Sequence, residues 1–241
     1  MKVHHRRFKA AMLALAASQV LAAATCTAQL LPPGDFQGKP LAQWGLDWAQ
    51  WSIATGLGGA ALPDTVGGVR YLPPNFGGGD FVANLTVPQG TALVVDPFFV
   101  FGERYDNGTE DNPADPFIDT ILEQTTIKTT LDGNVVLEGA ANAFPDRKFG
   151  VTVLPQPILY AEPQPRGPGL NSVAALFGVG VATIFAPLPL GEHTIRNEFN
   201  SSVFGASSFT YNITVVPEPA SLIQFGVVLL GAMAARRGRA G

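Results

Sequence analysis

From residue 81 to residue 216 the chain is a succession of short runs rich in β-branched and aromatic residues, each closed by Gly, Pro, Asn or Asp. The runs fall at 81–87, 92–101, 125–131, 135–138, 149–154, 158–161, 172–185, 194–199 and 208–216. Runs of this length and composition between turn residues specify strands. Asp132-Gly133 lies between two of them with Asn134 following, which is the chemistry of a two-residue hairpin. Helical periodicity is confined to two places. Trp44, Trp48 and Trp51 stand at i, i+4 and i+7, so they share one helix face within 35–56, and Gly56, Gly58 and Gly59 supply the stop. Phe117, Ile121 and Leu122 mark a second short helix over 116–124. Many short strands with one or two short helices predict a mainly β fold, an antiparallel β-sandwich or jelly roll.

The two ends do not belong to that pattern. Lys2, Arg6, Arg7 and Lys9 precede an apolar stretch over 10–24, and Cys26-Thr27-Ala28 offers small residues for cleavage. This is the layout of a secretory signal peptide cut after Ala28. At the other end Val216-Pro217-Glu218-Pro219 precedes an apolar run over 222–235, and Arg236, Arg237 and Arg239 follow it. Counted from Ala220, the run would span about 24 Å as a helix, against a hydrocarbon core of about 30 Å. The arginine cluster decides the reading, because it anchors the terminus on the cytoplasmic side of a membrane that the preceding domain has crossed. The expected division is therefore a signal peptide over 1–28, a β-rich extracytoplasmic domain over 29–215, and a tail with a transmembrane helix over 216–241. The expected location is exported, with an inner-membrane intermediate and then the cell surface or the extracellular space.

Seven of the fifteen basic residues lie within the first ten and last six positions, whereas Glu218 is the only one of nineteen acids outside 29–216. The central domain thus carries a net charge of about −10. Such a surface repels phosphate backbones, so nucleic acid is excluded as a natural partner. Cys26 is the only cysteine. The mature domain must therefore be held by its apolar core, which nearly 190 residues permit.

The order Pro217-Glu218-Pro219, short apolar helix, terminal arginine cluster resembles the PEP-CTERM sorting signal of Gram-negative bacteria. That resemblance covers about 26 residues. It implies signal peptidase and a membrane-embedded exosortase as partners, membrane attachment through the C-terminal helix, and a connection with exopolysaccharide and biofilm. A second resemblance spans most of the domain. The tryptophan-rich opening, Leu131-Asp132-Gly133, the segment from Pro187 to Ile195 and the final strand from Phe209 to Val215 look like a family of uncharacterised secreted bacterial β-proteins. That family brings no activity with it.

Few residues point to chemistry. His193 is the sole histidine beyond the signal region, which excludes a histidine-based zinc site, and no Gly-x-Ser-x-Gly elbow accompanies it. The loop from Glu103 to Asp115 offers the hard oxygens of Asp106, Asn107, Glu110, Asp111 and Asp115, donors suited to calcium but without EF-hand spacing. Its alternative is a solvated turn region. Trp44, Trp48 and Trp51 are either core residues of a helix or a stacking platform for sugar rings. Asn-x-Ser/Thr sequences occur at Asn84, Asn107, Asn200 and Asn212. Catalytic residues are not indicated. The expected protein is a non-enzymatic surface or matrix component without a cofactor. A glycan- or calcium-binding module is the alternative, and a carboxylate-dependent hydrolase a further one.

Overall fold

The computed structural model describes residues 29–76 and 79–218. The expected signal peptide and transmembrane helix, with Pro219, Arg236, Arg237 and Arg239, lie outside the described residues. The fold is mainly β with two short helices, α1 (Leu41–Ser52) and α2 (Pro116–Glu123). The strands are β1 (Asp35–Phe36), β2 (Lys39–Pro40), β3 (Thr65–Val66), β4 (Val69–Tyr71), β5 (Asp80–Pro88), β6 (Ala92–Tyr105), β7 (Thr125–Leu131), β8 (Asn134–Ala140), β9 (Lys148–Gly167), β10 (Leu170–Phe185), β11 (Gly191–Ser201) and β12 (Gly205–Val216).

Two five-stranded sheets, ordered β3-β4-β6-β10-β9 and β5-β12-β11-β7-β8, face each other across one apolar core. Phe98 of β6 meets Phe199 of β11 edge to face, with ring centroids 5.2 Å apart. The expected antiparallel sheets are in fact mixed, because β4 pairs with β6 and β5 with β12 in parallel. The cause is a crossing between layers. After β4 the chain joins the opposite sheet as β5, then returns as β6 beside β4 and in the same direction. Along the β5/β12 pair Asn212 faces Asn84, and the Asn212 amide donates to the Asn84 side-chain oxygen at 2.9 Å. Two of the four Asn-x-Ser/Thr sequences are thus cross-strand neighbours.

The runs at 149–154 and 158–161 form one strand, β9. Pro155 and Pro157 read as a break, yet β9 is the outermost strand of its sheet and bonds only to β10. An edge strand tolerates proline where the missing N–H would face the open side, and such prolines blunt edge-to-edge association. β6 and β10, by contrast, are buried almost throughout. Their outer face is covered by α1, so both faces are enclosed and the apolar–polar alternation disappears. Gly45 makes this contact, since a Cβ there would lie 2.5 Å from the Cβ of Ala182 on β10.

The Asp132-Gly133 hairpin forms as expected, with Leu131 opposite Asn134. Both turn residues have positive φ, 52° and 79°. Gly133→Val should therefore lose about 1–2 kcal/mol, the cost of a left-handed conformation for a side-chain-bearing residue. A denaturant midpoint unchanged by this substitution would contradict the turn.

Candidate functional site: a cavity along the unpaired edge of β6

β4 accompanies β6 only from Ala92 to Val94, and the next partner on that side is the bridge between Arg104 and Glu110. In the gap a cavity of about 580 Å³ opens along the unpaired edge of β6 and takes its wall from both faces of that strand. β6 contributes Phe98 and Val100 to its inter-sheet side, opposite Phe199 and Tyr211, and Phe99 to the side covered by α1, where Trp48 meets it. One end is closed, with Trp48, Asp96 and Tyr211 exposed by 1% or less. The other end is open, and there Phe117 and Phe204 are about half exposed.

Asp96 is the unusual residue of the closed end. Both carboxylate oxygens are buried without a hydrogen-bond partner. Burial alone holds this carboxyl well above the usual carboxylate range, which favours the protonated form. It is a lone acid inside the apolar run at 92–101, so the sequence carried the signal. The adjacent β-bulge sets two residues of β6, Asp96 and Pro97, against one of β10.

The open end is organised by Glu103, whose carboxylate is nearly buried. Arg166 grips it with two bonds of 2.5 and 2.6 Å, and the Tyr160 hydroxyl donates a third at 3.1 Å. Hydrogen bonding to Glu103 raises the Arg166 guanidinium, and burial raises the Tyr160 phenol. Removing the arginine would leave Glu103 buried without its countercharge. Such losses cost about 3–5 kcal/mol in full burial, and Arg166, being partly exposed, should give roughly 2–4 kcal/mol. Urea unfolding of Arg166→Met tests this, and restoration by Glu103→Gln in the same chain separates the charge effect from packing.

Four carboxylates line the cavity, yet Asp96 and Glu103 do not make a hydrolytic pair. Seven residues along one strand place them roughly 20 Å apart, whereas paired glycosidase carboxylates stand about 5–9.5 Å apart. The other two are engaged locally. Asp111 accepts the Glu103 N–H at 2.8 Å and the Tyr105 hydroxyl at 3.0 Å. Burial and this bond push the Tyr105 phenol up to about 12. Asp115 caps α2 by accepting the Phe117 N–H at 2.9 Å.

The remaining calcium donors are likewise dispersed. Asp106 accepts from the Asn171 amide at 2.8 Å, which lowers its carboxyl below the usual range. Asn107 accepts from Thr109, and Glu110 pairs with Arg104. Among the described residues no three His, Cys, Asp or Glu side chains are placed to hold a metal ion. As arranged, the loop is a hydrogen-bonded turn region whose carboxylates are each engaged by a local donor.

The tryptophans point inward. Trp44 and Trp48 are buried, donating to the carbonyls of Phe36 at 3.0 Å and Leu72 at 2.7 Å. Trp51 is half-buried against Tyr71, with centroids 5.4 Å apart. Helical spacing has turned the indoles of Trp44 and Trp48 onto the sheet, the core alternative for that helix face. His193 places its ring nitrogens 2.8 Å from the Asp132 carboxylate and 3.0 Å from the Pro189 carbonyl. It ties the hairpin turn to the start of β11.

No family model matches the chain, and no curated protein matches it. Among solved structures, the chain is similar to PbICP-C, solved in complex with falcipain-2, at 11% identity and a TM-score of 0.28, covering 61% of this chain and 98% of that one. It is also similar to Amebosin, solved in solution, at 10% identity and a TM-score of 0.19, covering 57% and 96%. Neither likeness carries an argument at these scores. Among the described residues no helix is long and apolar enough to cross a membrane.

Proposed function

We propose that this chain is an exported, non-enzymatic surface or matrix protein of a Gram-negative bacterium, handed to an exosortase by Pro217-Glu218-Pro219 and connected with exopolysaccharide or biofilm. One observation carries the reading. β12 ends at Val216, whose carbonyl accepts the Gln89 N–H at 2.7 Å, and Pro217 and Glu218 stand exposed immediately beyond it. A processing enzyme can reach this segment without unfolding the domain. The two prolines would keep it extended, since each fixes its own φ and restricts the residue before it. In this reading the signal peptidase acts at the other end, where Leu31 and Ala186 bond Gln29–Leu31 to the end of β10 and the residue after it.

Alanine at positions 217, 218 and 219 tests the proposal in a host that has an exosortase. Export should persist while C-terminal processing stops. Unchanged processing and location would leave the tail as a passive anchor.

The cavity favours a second reading, a binding module. No cofactor is invoked in either.

A further inference from the structure

We infer that the cavity along the unpaired edge of β6 is a binding site for an uncharged, elongated amphiphile, an apolar chain lying along β6 with a hydroxyl or amide group meeting Asp96. The inference is independent of sorting and rests on the cavity alone. Its volume of about 580 Å³ falls within the ~300–1,000 Å³ typical of ligand pockets. Its length, from Asp96 to Glu103, is roughly 20 Å by strand rise. The wall between those two acids is aromatic and aliphatic. Phe117 and Phe204, both about half exposed, extend the apolar wall to the mouth.

The polar groups select the ligand's chemistry. A carboxyl buried with neither oxygen bonded carries a desolvation penalty that a partner would relieve. A protonated carboxyl donates one hydrogen bond and accepts others, which is the complement of a hydroxyl or an amide. An anionic head is disfavoured at both ends. At the mouth Arg166 is committed to Glu103, leaving the charges of Asp111 and Asp115 uncompensated by this arginine. Fatty-acid carboxylates and phosphates would face that negative rim. A cationic head at the closed end would have to shed its water among apolar side chains.

The test uses the full-length protein in detergent, photolabelled with a diazirine-bearing octanol and, in parallel, with the corresponding diazirine-bearing octanoate. Labelled peptides are mapped by mass spectrometry. The expected result is octanol labelling of peptides from β6 or β12 that unlabelled decanol competes away, with at least tenfold less octanoate at the same peptides. Val100→Trp, which fills the cavity, should reduce octanol labelling about tenfold. Ala206→Phe, at an exposed position of the mouth, does the same without disturbing the core and serves if the first variant fails to fold. Asp96→Leu removes the partner of the hydroxyl and should weaken octanol labelling at these peptides, while octanoate stays excluded by the rim. Labelling confined to the C-terminal apolar stretch, labelling unchanged in both filled variants, or equal labelling by octanoate would overturn the assignment. None of these outcomes bears on C-terminal processing, so the two proposals fail separately.

Discussion

Trp48→Ala is expected to destabilise the domain by about 3–5 kcal/mol, the range for removing a large aromatic side chain from a packed core. Trp48 is 1% exposed, meets Phe99 edge to face at 5.1 Å and donates to the Leu72 carbonyl at 2.7 Å. Truncation removes both contacts and leaves that carbonyl without its donor. It also enlarges the closed end of the cavity, which limits how far the site can collapse. A denaturant series on wild type and variant measures the loss. A change below about 1 kcal/mol, the scale of a surface substitution, would mean that α1 does not lie against the sheet as described.

The second large effect is a dependence of stability on pH that originates in Asp96. Its folded-state carboxyl is held well above the ordinary value of 3.8, so folding favours the protonated form. The corresponding stability is complete below that ordinary value and is lost as pH rises towards the folded value. Within the window the slope approaches about 1.4 kcal/mol per pH unit. Asp96→Asn cannot ionise, so it should flatten this part of the profile and be more stable than wild type at neutral pH, by a margin that grows with pH across the window. Urea midpoints at successive pH values on both proteins provide the comparison. Parallel profiles would show that Asp96 has a partner in solution.

The strand pattern was legible because most strands contain their own signal. The runs at 125–131 and 92–101 contain β7 and most of β6, and Asp132-Gly133 specifies its hairpin locally. β9 was less legible, since Pro155 and Pro157 break a pattern that only an edge position can tolerate. β4 has three residues, too few for alternation to show, and the parallel pairing with β6 depends on β5 crossing to the other layer. Strand direction across two layers leaves no local mark in the sequence.

The site was less visible than the fold. Asp96 could be found as a solitary acid in an apolar run, but its lack of partners is a property of the packed protein. Glu103 and Arg166 are 63 positions apart, and nothing in either neighbourhood announces the other. The acidic loop attracted attention because its charges are adjacent in sequence. Folded, those charges turn towards different donors, and Asp115 becomes a helix cap. Trp44, Trp48 and Trp51 show the opposite case, since their spacing already favoured the core and two of the three are fully enclosed.

The account's central claim is that the domain is released from, or retained by, a processed tail beginning directly after β12. Intact-mass measurement of the mature protein from a host with an exosortase tests it most directly. The account predicts a C-terminus close to Pro219, well short of Gly241, on a chain that starts at Gln29. A mature chain that still ends at Arg239-Ala240-Gly241 in such a host would contradict it.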